Sequence, residues 1–174
     1  MKRSLSASIL GLAVLLAPTA AHAQWSIRGE VETPLYFHSS SNGQSFSFSI
    51  GDSFQPTLDI IGGFYVLPFL SVDVEFRRGL AATGTGYSRQ LTYLGPGVTL
   101  DIPVTPLYAR ASLPIQLEDS AVFFLRVGGG LKLLDLGVFR LYLEVTADFP
   151  YAGSGVSFFS SQAVNAGVGV WFKF

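Results

Sequence analysis

The chain has no cysteine, so neither a disulfide framework nor a thiolate-ligated metal is available to it. Charge is also scarce: Asp, Glu, Lys and Arg make up 13% of the residues, against about a quarter in an ordinary soluble domain. There is no cluster of Lys and Arg of the kind that tracks a phosphate backbone, which removes nucleic acid as a partner. Histidine occurs twice, at His22 and His38. A long apolar run is missing as well. The longest one, around Ile9 to Leu16, falls far short of the ~20 residues that carry a helix across a bilayer.

That run has another reading. Lys2 and Arg3 precede it and Ala21-His22-Ala23 follows it, which is the basic, apolar and small-residue order of a secretory signal. The expected organisation is a cleaved leader over 1–23 and one domain over 24–174, of a size that suits a single core. Without Lys2 and Arg3, nine basic residues face twelve acidic ones.

What remains is apolar overall yet nowhere continuously so, with positive mean hydropathy and 14% aromatics. Alternation reconciles the two. In Trp25 to His38 the odd positions carry Trp25, Ile27, Val31, Leu35 and Phe37, and the even ones Arg28, Glu30, Glu32, Tyr36 and His38. Seven further segments repeat the pattern: Phe54 to Tyr65, Leu70 to Arg77, Thr92 to Ile102, Leu107 to Leu117, Phe123 to Leu133, Phe139 to Phe149 and Val164 to Phe174. Eight strands are therefore predicted. Tight turns at 66–69, 103–106 and 134–138 alternate with longer Ser- and Gly-rich connections at 39–53, 78–91 and 150–161, while 118–120 is short where a long one is expected. Pro96 donates no ladder hydrogen bond, so a bulge is predicted there.

An alternating sheet either buries its apolar face in a core or turns it to lipid. Three features choose lipid. Fifteen charges share the polar face: Arg28, Glu30, Glu32, Asp59, Asp73, Glu75, Arg77, Asp101, Arg110, Arg126, Lys132, Arg140, Glu144, Asp148 and Lys173. Eight acids against seven bases is a set that can pair internally. Glycines at 63, 95, 97, 128, 130, 167 and 169 lie on that same face, where they leave room for long side chains in a narrow barrel. Aromatics gather at strand ends in two groups, Trp25, Phe64, Phe69, Phe139, Phe172 and Phe174 on one side and Phe37, Phe54, Phe76, Phe123 and Phe149 on the other, as in an interfacial girdle. No basic strand residue faces lipid, where each would cost ~2–4 kcal/mol near the midplane. The fold class is all-β, an eight-stranded antiparallel up-and-down transmembrane β-barrel.

Read this way, the chain resembles the small eight-stranded outer-membrane β-barrels of Gram-negative bacteria, the OmpX and OmpA-transmembrane-domain type. The most specific element is VNAGVGVWFKF at 164–174. In that family the last strand ends in Phe after alternating apolar residues and is read by the barrel-assembly machinery. The resemblance assigns that role to Val168, Val170, Phe172 and Phe174. It implies a location in the outer membrane, contact with outer-membrane lipid and lipopolysaccharide, and a monomer.

Eight strands enclose a space just wide enough for side chains to fill. Arg28, Arg77, Arg110, Arg126, Arg140 and Lys173 are expected to pair there with Glu30, Glu32, Asp73, Glu75, Glu144 and Asp148, with Tyr36, Tyr65, Tyr108, Tyr142 and Trp171 also directed inward. A plugged lumen with a structural or interaction role follows, so the protein is porin-like in architecture only. The alternatives are a narrow channel for small solutes, gated by that network, and a lipid-modifying enzyme built on His38 with Ser39, Ser40 or Ser41. No catalytic, metal or cofactor-binding residue is assigned. Exposed Phe46, Phe48, Phe158 and Phe159 in the long connections offer a further surface for partners.

Overall fold

The computed structural model describes residues 24–41, 44–49, 56–80, 91–118, 121–153 and 161–174. The proposed leader at 1–23 lies outside them, as do Phe54, Phe158, Phe159 and the side chains of Phe37, Ser39–Ser41, Phe46 and Phe48. Ten β elements are formed: β1 Trp25–Ser41, β2 Gln44–Ser49, β3 Thr57–Leu67, β4 Leu70–Gly79, β5 Thr92–Asp101, β6 Leu107–Ser112, β7 Ile115–Gln116, β8 Val122–Asp135, β9 Phe139–Gly153 and β10 Ser161–Lys173. They make eight staves. β2 and β3 lie end to end along β1, and β6 and β7 lie end to end between β5 and β8. Each stave pairs antiparallel with the next, and β1 pairs with β10 from Ser26↔Lys173 to Ser39↔Ser161, which closes the ring. A closed eight-stranded antiparallel barrel is thus the architecture. Closure leaves the staves with no open edge, as a hydrocarbon surround demands.

The two faces are inverted relative to a soluble domain. Ile27, Val31, Ile60, Val72, Val74, Leu94, Val98, Leu100, Val127, Leu131, Leu143, Val145 and Val168 are exposed, whereas the strand residues that alternate with them are mostly buried. Aromatic pairs bound this apolar belt. Trp25 meets Phe64 at 5.0 Å and Phe139 meets Phe172 at 5.3 Å at the short-turn end, and Phe123 meets Tyr151 at 6.2 Å at the other.

Three local features differ from the sequence expectation. Pro96 carries no bulge: Tyr93↔Gln116 and Gly97↔Ser112 share one register. The ladder is interrupted on the opposite stave instead, at Leu113-Pro114, where Gly95 admits the close approach of Leu113 O and Pro114 Cα. A register shift between Pro34 and Tyr36 inserts one residue into β1 and turns Tyr36 outward, 38% exposed, correcting its expected place in the lumen. Phe124 also points inward, in step with Arg126 two residues on, and packs against Tyr93 at 5.6 Å; the register shift beside it inserts its extra residue into β9, at Tyr151. The hairpins also run past their predicted ends, to Ser41 in β1 and Gly153 in β9, because backbone pairing continues where the Ser- and Gly-rich sequence no longer alternates.

A charged lumen as the candidate functional site

All fifteen charges predicted for the polar face lie on the inside of the barrel, twelve of them buried and Lys132, Arg140 and Lys173 half-buried. The reason is parity. Side chains of a strand alternate between faces, so residues at even spacing within one unbroken register share the lumen.

The middle of the lumen is organised by Arg126 of β8, which is wholly buried. Its Nη2 donates to Glu32 of β1 at 2.6 Å, its Nη1 to Asp59 of β3 at 2.6 Å and to Glu75 of β4 at 2.7 Å, and its Nε to Asp148 of β9 at 2.8 Å. One planar guanidinium thereby ties its own strand to four others. Arg77 shares three of those acids, reaching Glu32 and Asp148 at 2.9 Å and Asp59 at 3.5 Å. Arg110 bridges Glu75 at 2.6 Å and Glu144 at 2.9 Å. Neutral donors fill remaining acceptor sites: Ser112 on Glu75 at 2.6 Å, Tyr108 on Glu144 at 2.6 Å, Thr146 on Glu32 at 3.1 Å and Asn165 on Asp148 at 2.9 Å.

Nearer the short turns the lumen becomes aromatic. Trp171 is fully buried and lies edge-on to Tyr108 at 5.7 Å and Tyr142 at 6.3 Å and stacked with Tyr65 at 6.4 Å. Arg28 sits 4.5 Å above its ring and donates to Asp73 at 2.7 Å. At the mouth, Asp101 gathers three cations: Lys173 at 3.0 Å, Arg140 at 3.1 Å and Lys132 at 3.5 Å.

Several pairings differ from the expected ones. Arg140 and Lys173 turn to Asp101, which was not singled out as their partner, and Arg140 also meets Asp135 at 2.8 Å. Asp59, likewise not singled out, receives both Arg77 and Arg126. Glu30 makes no ion pair among the described residues and accepts a hydrogen bond from Tyr142 at 3.2 Å. Gly167 makes room for it, since a Cβ there would run into the Glu30 carboxylate. Glu30, Glu32 and Glu144 place one carboxylate oxygen each within 4.8 Å of one another, the geometry closest to a metal site among the described residues. The Glu32 and Glu144 carboxylates are already engaged by arginine and hydroxyl donors, so no metal is assigned.

Beyond the belt, Glu118 follows β7 and accepts from the Thr92 amide at 2.6 Å. Its slight desolvation favours the neutral acid, but the hydrogen bonds from Thr92 outweigh that and hold the carboxyl below its ordinary range. His38 lies past the β1 shift, opposite Gln162 and Ser47, on the same side of the strand as Tyr36. The serine side chains that would complete a Ser–His pair are outside the described residues. Val168 and Phe172 face outward and exposed, with Val170 half-buried beside them; Phe174 is exposed, and its amide donates to Trp25 O at 2.8 Å.

No family model matches the chain, and no curated protein matches it. The fold is that of the small eight-stranded outer-membrane β-barrels. A solved structure with this fold is that of Neisserial surface protein A (NspA), similar at a TM-score of 0.59 and 17% identity over 86% of this chain and 97% of that one. At that identity the likeness is one of architecture.

Proposed function

We propose that the protein is a monomeric outer-membrane β-barrel whose own side chains close its lumen, with a structural or interaction role in the envelope and neither a diffusion path nor a catalytic centre. The observation that carries this reading is Arg126, whose ion pairs span the lumen from β8 to β1, β3, β4 and β9. A solute passing through would have to part those pairs. Breaking a buried ion pair costs ~3–5 kcal/mol, and several share this one guanidinium. The belt of exposed apolar residues supports residence in lipid, with outer-membrane lipid and lipopolysaccharide as its surroundings.

On the same reading 1–23 is a cleaved export signal, and the exposed Val168, Phe172 and Phe174 with Val170 present the strand read by the barrel-assembly machinery. The test is single-channel recording in a planar bilayer, with heat-modifiable gel migration as the check of folding. The folded protein is expected to give no steady conductance of the size of a general diffusion pore. A stable wide conductance would refute the closed lumen.

A further inference from the structure

The short-turn end of the barrel is apolar beyond the aromatic girdle. The three connections read Val66-Leu67-Pro68-Phe69, Ile102-Pro103-Val104-Thr105-Pro106 and Leu134-Asp135-Leu136-Gly137-Val138. Val66, Leu67, Val104, Leu136 and Val138 are all exposed, Val104 completely. Two register shifts enlarge the surface. The shift between Tyr65 and Leu67 leaves Val66 and Leu67 both exposed, and the shift between Lys132 and Leu134 does the same for Leu133 and Leu134. Val104 has φ 62°, a region where a β-branched residue is an outlier, and this holds its side chain out at the tip of its turn.

Many polar groups of these turns are satisfied locally. Thr105 donates both its amide, at 3.3 Å, and its hydroxyl, at 3.0 Å, to Ile102 O, and its Oγ1 accepts from the Leu107 amide at 3.2 Å. The Val138 amide donates to Leu136 O at 3.1 Å and the Leu136 amide to Phe139 O at 2.9 Å. Asp135, the charged residue of the three turns, accepts from the Gly137 amide at 2.9 Å and pairs with Arg140 at 2.8 Å. Pro68, Pro103 and Pro106 have no amide hydrogen to satisfy. Turns paired in this way are compatible with an apolar layer.

From these observations we infer that the short-turn end is itself a lipid-contacting surface, seated at the headgroup and acyl-chain boundary of the near phospholipid leaflet. The inference rests on the membrane-barrel reading and extends it. The surface is continuous with the lipid belt through Leu133, Leu107, Phe172 and Trp25, all exposed. The dimensions fit. From Phe139 to Phe149 there are ten steps, which at ~3.3 Å each and a tilt near 40° span about 25 Å, the height of an outer-membrane apolar band. Leu136 and Val138 lie one to three residues below, within the ~5–10 Å depth that interfacial apolar side chains occupy. The barrel therefore rides low in the bilayer and does not project its short turns into water.

The absence of cysteine makes the test direct. Val104→Cys and Val138→Cys, each at an exposed turn tip, are spin-labelled in the full barrel in phosphatidylcholine vesicles, with Leu143→Cys as a mid-belt reference. Collision with oxygen and with a water-soluble nickel complex is then compared. Labels at 104 and 138 are expected to favour oxygen, as the label at 143 does, though by less. Free access of nickel to 104 and 138, with 143 still protected, would overturn the inference while leaving the membrane barrel standing. Free access at all three positions would overturn both.

Discussion

Replacing Arg126 by Met removes the guanidinium while keeping much of the side-chain volume, and its effect can be worked out from the contacts. Four carboxylates lose a partner at 2.6–2.8 Å. None is left alone, because Arg77 still holds Glu32, Asp59 and Asp148, and Arg110 still holds Glu75. The expected loss is therefore that of one broken buried pair, ~3–5 kcal/mol, and not four times that figure. At a slope of ~1.5–3 kcal/mol per molar urea, the unfolding midpoint should fall by roughly 1–3 M. Arg126→Lys keeps the charge but replaces a fork with a point, and loses at least one charge-assisted hydrogen bond of ~1.5–3 kcal/mol. Adding Glu32→Gln and Asp148→Asn to Arg126→Met should recover part of the loss, since it relieves the crowding of three carboxylates on Arg77 alone. The assay is urea unfolding of the barrel in detergent micelles, followed by intrinsic fluorescence and by heat-modifiable migration. A midpoint for Arg126→Met within about 0.3 M of the parent, on the same slope scale, would show that the network contributes nothing and would refute the reasoning.

Gly169→Ala places a Cβ against the Tyr142 ring and Gly29 O, an overpacking expected to cost ~1–3 kcal/mol in the same unfolding assay, whereas Gly62→Ala, with nothing within 4 Å, should be neutral. Glu118 has a lowered folded-state pKa, so its contribution is present above the unfolded value and is lost as pH falls through the lower folded one. Hydrogen-exchange protection of the Thr92 amide should decline over that acidic range, and in Glu118→Gln, whose amide oxygen accepts without titrating, that pH dependence should be lost.

The eight staves and the inward set of fifteen charges were legible because both follow from a period of two, which survives even where strand ends are misplaced. Tyr36 shows where that reasoning stops. A one-residue insertion after Pro34 reverses parity, and nothing in the side chains of 34–36 announces it. Phe124 was hidden differently: it keeps parity with Arg126, but an apolar side chain at an inward position does not stand out among the charges. The partners within the lumen were less legible than its members. Parity says that Asp101 faces inward but not that it lies at the mouth within reach of Lys132, Arg140 and Lys173, which depends on the stagger between strands. Likewise Arg126 was one of seven inward bases, and its place at the crossing of four acids follows from barrel closure. The apolar turns were visible as letters but read only as connections.

The seam between β1 and β10 has a consequence for how the barrel comes to exist. It joins Ser26 to Lys173, residues separated by nearly the whole described chain. Every other pairing between staves links neighbours in sequence and can zip as the chain becomes available, but this one pays the full loop-closure entropy and cannot start until the last strand is present. Until then β1 and β10 are two open edges, able to pair with strands of another molecule. The seam should therefore form last and slowest, and the interval before it forms is when this chain is most exposed to aggregation.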